Sequence, residues 1–139
     1  MNPDLRVVEF KPWHYAYLAD DRTQAAVPVE VIERLEGHGS WTGLWRDEPI
    51  VVAGLVPQWP GRHIAWAYFA RGTLRHLPWI SERVMEKLAE VKGRVELTVR
   101  ADFRAGHRWA KRLGFEVETP RLRAYGPEGE DHVGYVRIG

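Results

Sequence analysis

The sequence predicts an α/β domain of the layered α+β kind, a mixed sheet with helices on both faces. Its expected element order is β-α-α-β-β-β-α-β-α-β-β. Three observations predict it. Segments of period two alternate with segments of period about 3.6 along the chain. Two strand candidates, "IVVAGLV" (50–56) and "HIAWAYFA" (63–70), are apolar on both faces, the mark of central, covered strands. A strand–helix–strand stretch, "RVELTVRADFRAGHRWAKRLGFEVE" (94–118), carries its own start and stop signals.

Taken in order, Leu5–Phe10 alternates enough for a first strand, and Pro12 opens a helix through Tyr17. A second helix is expected at Pro28–Glu36, with Val31, Ile32 and Leu35 on one face and Gly37 as its stop. From Ser40 the period is two: Trp41–Arg46, Ile50–Gln58 and Arg62–Ala70 read as three strands joined at Asp47-Glu48-Pro49 and Pro60-Gly61. In "TLRHLPWISERVMEKLAEVKG" (73–93), Leu77, Ile80, Val84, Leu88 and Val91 recur at helical spacing, and Gly93 ends the segment. Arg94–Arg100 puts Val95, Leu97 and Val99 on one face. Asp102 fits as N-cap of a helix Phe103–Leu113 whose apolar side carries Phe103, Gly106, Ala110 and Leu113. Gly114 would be the left-handed residue after it, with Phe115 folding back on the last turn. The tail gives two or three short strands around a Gly126-Pro127-Glu128-Gly129 turn.

Composition narrows the function classes. With 139 residues the chain is expected to form a single domain over 1–139. Twenty basic residues against 19 acidic ones leave a net charge of +1, so nucleic-acid binding would have to rest on a local patch. The absence of cysteine excludes disulfides, thiolate metal ligands and a cysteine nucleophile. No apolar run reaches the roughly 18 residues of a membrane span, and the start lacks signal-peptide character. A cytoplasmic protein without a membrane partner is expected. His14, His38, His63, His76, His107 and His132 are scattered without metal-ligand spacing, so no metal site is expected.

The element order, with "RWAKRLGFEVE" near its end, resembles the GNAT superfamily of acyl-CoA-dependent N-acyltransferases. Leu113-Gly114-Phe115 stands where that family has its Leu-Gly-Phe turn. More narrowly, "AGHRWAKRLGF" and "YGPEGEDH" look like a group of phage-encoded GNAT-like proteins, some of them internal virion proteins of the A-like kind. The resemblance implies a fold whose fourth and fifth strands, here 62–70 and 94–100, part at their ends to bind acetyl-CoA. It implies that the pyrophosphate rests on amide donors where the next helix begins. The cofactor-binding residues would then be Phe69, Ala70, Arg71, Gly72, Thr73, Leu74, Arg75 and His76, with Arg104 from the later helix.

The chain departs from the family at several positions. Its loop has Arg71-Gly72 before Pro78 in place of a longer glycine pattern. Ala110 stands where a tyrosine acid is common and Phe103 where an asparagine is, and the strand 62–70 carries no glutamate. Replacement acids would be Tyr68 or Tyr125, and a replacement base His107. For each the plainer alternative is a structural side chain. Arg104, Arg108, Lys111 and Arg112, with Arg100, form a basic stripe that could hold a CoA phosphate, follow a nucleic-acid backbone, or simply face solvent.

Two functions follow. The leading one is acetyl-CoA-dependent acetyl transfer to an amine, on a small molecule or a protein, by direct attack and with acetyl-CoA as co-substrate. The alternative is a catalytically degenerate phage or prophage protein of this fold, a virion component or host-binding module, located in the host cytoplasm or the virion. A homodimer is compatible with either.

Overall fold

The computed structural model describes residues 3–18 and 27–139. In chain order the elements are β1 (Leu5–Glu9), α1 (Pro12–Leu18), α2 (Val29–Glu33), β2 (Trp41–Trp45), β3 (Glu48–Trp59) and β4 (Arg62–Phe69). A 3₁₀ turn (Thr73–His76) then leads into α3 (Leu77–Ala89), followed by β5 (Arg94–Arg100), α4 (Arg104–Arg112), β6 (Glu116–Leu122) and β7 (His132–Ile138). The seven strands form a mixed sheet in the order β1-β2-β3-β4-β5-β7-β6. β4 and β5 run parallel, which requires a crossover, and α3 supplies it. The β1–β2, β2–β3, β5–β7 and β6–β7 pairs are antiparallel.

The chain divides into two compact units, Met1–Val56 with Ala65–Glu82 and Pro57–Ile64 with Arg83–Gly139. In the first, Phe10, Leu18, Ile32 and Val52 form a buried cluster lined by Tyr15, Val27, Leu35, Trp66, Tyr68 and Ala70. Each fully buried side chain of this size contributes about 1.5–3 kcal/mol of transfer free energy. α1 is opened by His14 in its first turn, whose Nδ1 accepts the Lys11 N–H at 3.1 Å and the Thr42 hydroxyl at 2.7 Å. Burial, and then Lys11, lower the pKa of that imidazole, which keeps it a neutral acceptor.

In the second unit, Val95 and Tyr135 of the sheet and Ala110, Leu113 and Phe115 around the end of α4 are buried. The stop is a Schellman motif: Phe115 N–H bonds Ala110 O at 3.0 Å, and Gly114 N–H bonds Lys111 O at 3.1 Å. Gly114 adopts the left-handed φ of +90° that this requires. Leu-Gly-Phe therefore ends the helix and seats two apolar side chains, Leu113 and Phe115, under it.

Several local expectations are corrected. Asp102 does not cap α4; it pairs with Arg100 at 2.9 Å, and Phe103 occupies the cap position without a side-chain hydrogen bond. Phe103 itself stays half exposed instead of joining the apolar side. α2 is shorter than Pro28–Glu36 and turns Val31 outward, leaving Ile32 to enter the core. The β2–β3 corner is Arg46-Asp47, both at positive φ, so that β3 begins at Glu48 and takes in Pro49. The 73–93 segment starts as a 3₁₀ turn and becomes α-helical only from Leu77. Two strands form in the tail. β3 is buried over Ile50–Ala53 as a central strand should be, but no residue of β4 is fully buried. Apolar residues on both faces of β4 did not by themselves secure cover.

The parallel β4–β5 register pairs Arg62 with Arg94, His63 with Val95 and Ile64 with Glu96. Two arginines directly opposite one another would repel. Glu96 joins both: it accepts Arg62 Nη2–H at 3.0 Å and Arg94 Nε–H at 2.7 Å. Arg94 reaches on to Glu118, with Nη1 at 2.9 Å. The Arg62 hydrogen bond first, and Arg94 with it, hold the Glu96 carboxyl down at about 2. A depressed carboxyl stabilises the fold above its unfolded pKa and loses that contribution as pH falls through the folded value. Unfolding free energy should therefore decline between about pH 4.5 and 2, and Glu96→Gln should be less stable at pH 7 yet flatter over that acid range in urea titrations. An acid slope equal to wild type would show that Glu96 carries none of it.

Gly93 makes a second tight junction. It exchanges both backbone hydrogen bonds with Gly139, at 3.1 and 2.9 Å, while Arg94 N–H bonds Gly61 O at 2.8 Å. A Cβ on Gly93 would lie 2.5 Å from that Gly61 oxygen, and its φ is +102°. Gly61 has a φ of +93° but open space around it. Gly61→Ala should cost about 1–3 kcal/mol of backbone strain, and Gly93→Ala distinctly more, read as the larger drop in Tm.

Candidate functional site

The far half of β4 and the turn after it, all within the first unit, hold most of the residues expected to meet a cofactor. Tyr68 is half-buried, its ring edge-on to Tyr15 at 5.1 Å and tilted against Trp66 at 6.0 Å. Burial, and then Tyr15, push the Tyr68 hydroxyl up to about 12. It remains protonated throughout the neutral range, so it can serve as a proton donor and not as a base. Trp66 packs edge-on against Phe10 at 5.2 Å, and its buried indole Nε1 has no hydrogen-bond partner among the described residues. That nitrogen lies over Gly54, where a Cβ would approach it to 2.9 Å. The glycine makes room for the indole against β3.

Beyond Phe69 the chain leaves the sheet in an ordered way. Ala70 N–H bonds Ile50 O at 2.9 Å, and the Thr73 hydroxyl donates back to Ala70 O at 3.0 Å. Gly72 then takes φ +78° as N-cap of the 3₁₀ turn, with no side-chain cap hydrogen bond and no heavy atom within 4 Å of a would-be Cβ. The first turn of a helix leaves its N–H groups without intrahelical partners. No capping side chain takes them here, and Arg71, Gly72 and Leu74 are exposed around them. The turn is thus uncapped by any side chain, with Arg71 exposed at its start.

Arg75 and His76 have other engagements. The Arg75 guanidinium sits 4.4 Å from the centre of the Trp45 ring and donates Nε–H to His76 Nε2 at 3.2 Å. His76 is buried, lies 5.3 Å from Trp45, and has its pKa lowered by burial and then by Arg75. It is a neutral acceptor and not a phosphate-binding cation. Arg46 lies 4.4 Å from the same indole.

The remaining expected residues lie in the second unit and are not gathered at one point. Both nitrogens of His107 are occupied: Nε2–H faces Ala101 O at 3.0 Å, and Nδ1 meets the Tyr135 hydroxyl at 2.7 Å. To act as a base it would have to surrender the buried tyrosine. Tyr125 is exposed, 5.3 Å from the His132 ring, with its N–H on Glu130 O at 3.0 Å. Arg104 opens α4 at the surface, and Arg108, Lys111 and Arg112 are exposed along the same helix. Ala110 is 2 % exposed and faces the core. Tyr15, Trp45 and Tyr135, which hold Tyr68, Arg75 and His107 in place, went unread in the sequence. Their partners lie 53, 30 and 28 positions away, beyond any local signal. No group of histidine and acidic residues among the described residues could hold a metal ion, and no helix is long and apolar enough to cross a membrane.

No protein-family model and no curated protein matches the sequence. Solved structures do match in fold. Ard1 from Thermoplasma volcanium superposes with a TM-score of 0.82 at 14% identity, covering 97% of each chain. The ribosomal-protein-S18-alanine N-acetyltransferase of Escherichia coli gives 0.72 at 14%, over 95% of this chain and 92% of that one. Arabidopsis thaliana NAA60, solved with acetyl-CoA, gives 0.72 at 15%, over 97% and 99%. The element order, the parallel β4–β5 pair and these superpositions agree: the chain has the fold of the GNAT acetyltransferases.

Proposed function

We propose that this protein is an N-acetyltransferase that uses acetyl-CoA as co-substrate and passes the acetyl group to an amine by direct attack. The observation that carries the reading is the fold match over 97% of both chains to Ard1, together with matches to a named N-acetyltransferase and to NAA60 solved with acetyl-CoA. In this reading the thioester lies along β4, beside Phe69 and Ala70. The pyrophosphate meets the N–H groups of Gly72, Thr73 and Leu74, and Arg71 supplies charge. Arg75 and His76 shape the turn through Trp45, and Arg104 remains a candidate for an outer phosphate.

The amine nitrogen attacks the acetyl carbon, the carbon–sulfur bond breaks, and the departing thiolate takes a proton from the Tyr68 hydroxyl, which solvent then reprotonates. The amine's own proton goes to solvent, because neither a strand carboxylate nor an unoccupied His107 nitrogen supports a base. The acceptor is an amine on a protein or a small molecule. A second reading, a non-catalytic GNAT-fold protein serving a virion or host surface, draws on buried Ala110 in the place of a tyrosine acid.

Binding separates the two. Acetyl-CoA should raise Tm by mass action, and Arg71→Ala should shrink that shift, read as the difference in Tm with and without the ligand. Arg75→Ala should instead lower the free protein's Tm by unstacking Trp45. No shift at millimolar acetyl-CoA favours the non-catalytic reading.

Catalysis has its own signature. A positioned acid typically contributes ~10²–10⁴-fold, so Tyr68→Phe should reduce kcat by at least ~10²-fold while the ring contacts, and hence Tm, persist. Because the hydroxyl is needed protonated and titrates near 12, turnover should climb with pH as the amine deprotonates and show no fall before strongly alkaline pH. Full activity in Tyr68→Phe, measured by thiol release, would remove Tyr68 from the mechanism.

A further inference from the structure

In the second unit Thr98, on one strand, and the near neighbours Glu130 and His132 form a hydrogen-bonded chain that the acetyl-transfer reading does not use. Thr98 lies opposite Gly134 in the β5–β7 ladder, and His132 lies opposite Arg100. Residues two apart share a face, so Thr98 and His132 meet diagonally, while Gly134 opposite Thr98 is covered by the Thr119 side chain, 3.1 Å from a would-be Cβ. Thr98 Oγ1 is 3.1 Å from His132 Nδ1, and His132 Nε2 is 3.3 Å from Glu130 Oε1. Glu130 is itself fixed, its Oε2 accepting the Glu128 N–H at 2.9 Å. Thr98 is exposed, whereas the His132 and Glu130 side chains are only 17% and 13% exposed. The hydroxyl stands at the surface with the imidazole and carboxylate behind it.

The geometry fixes the proton positions. The backbone N–H of Glu130 first, and then His132, the Glu128 N–H and Arg100, keep the Glu130 carboxyl below its ordinary range, so it is ionised near neutrality. A carboxylate at Nε2 places the ring proton there and leaves Nδ1 bare. The Thr98 hydroxyl is then the donor to Nδ1. This is the arrangement of nucleophile, base and orienting acid that activates hydroxyls in acyl transfer. The other groups about the imidazole are the Tyr125 ring, Arg100 across the ladder on β5, and apolar Leu122 across on β6.

We propose that Thr98 is an acyl-accepting nucleophile, activated by His132 and oriented through Glu130, toward activated acyl esters and thioesters. Thr98 Oγ1 bonds to the acyl carbon as its proton passes to His132 Nδ1. The carbon–oxygen or carbon–sulfur bond to the leaving group breaks, and the leaving alkoxide or thiolate takes that proton from His132. Water then hydrolyses the Thr98 ester, with His132 again accepting the proton, which returns the free hydroxyl and a carboxylic acid. The proposal is independent of acetyl-CoA binding on β4.

The test uses the full chain with p-nitrophenyl acetate, an acetyl donor that carries no part of CoA. Wild type should show a nitrophenolate burst and one added acetyl group on the peptide containing Thr98. Thr98→Ser should keep both and Thr98→Val should lose both, with Tm confirming that each is folded. His132→Gln should slow acylation by about 10²–10⁴-fold. Glu130→Gln, a positioning variant, should slow acylation less, lowering its kcat with little change in KM for p-nitrophenyl acetate. An undiminished burst in Thr98→Val, acetyl groups confined to lysine or histidine, or no labelling of wild type would each overturn the proposal.

Discussion

The sheet turns on a charge problem at the start of β4. The parallel register sets Arg62 against Arg94, and the carboxylate of Glu96 bridges the two guanidiniums. Because side chains alternate between faces, Glu96 lies on the same face as Arg94, two residues along, and can take both guanidiniums. Slipping β5 by one residue would send Glu96 to the other face and leave the arginines unopposed. The register in turn decides which β4 residues point where, and Tyr68 belongs to the same alternation as Arg62, Ile64 and Trp66 by parity alone. Glu118 extends the network through Arg94, so the ladder is secured by partly shielded charges and not by the half-exposed apolar residues of β4.

Burial then assigns proton chemistry among groups that look equivalent in a list of residues. Tyr68 and Tyr135 both have hydroxyls raised by burial, but Tyr135 is committed to His107, while Tyr68 sits among aromatic rings on the strand expected to meet a thioester. His14 and His76 are held neutral by the same desolvation, each as an acceptor for a neighbouring N–H. His132 is different: it stands between a surface hydroxyl and an ionised carboxylate. Four histidines thus divide into three structural acceptors and one with the surroundings of a base.

The basic stripe on α4 illustrates how a local pattern can be correct and still leave function open. Arg104, Arg108, Lys111 and Arg112 lie on the exposed side, as their spacing requires, while Ala110 and Leu113 face the core. The cations near the helix end complement its dipole. The helix owes its position to the Schellman stop at Gly114 and to Gly106, where a Cβ would press to 2.8 Å on Val99. Both are packing requirements.

The sequence by itself determined the order of elements, the boundaries of β5, the stop at Gly114 and the fold these imply. Those depend on periodicity, turn chemistry and the conformational freedom of glycine, all of which act over a few residues. It did not determine that Asp102 would leave the cap for Arg100, that β4 would stay partly open, or that Arg75 and His76 would turn toward Trp45. Each is a competition between a local preference and a partner from another element. Nor could spacing bring Thr98 to His132, 34 residues away, or Tyr15 to Tyr68. Strand register and helix placement set those distances, and with them the burial that sends one hydroxyl to a pKa of about 12 and leaves another poised at the surface. Tertiary structure decided the chemistry because proton affinity depends on what surrounds a group in space.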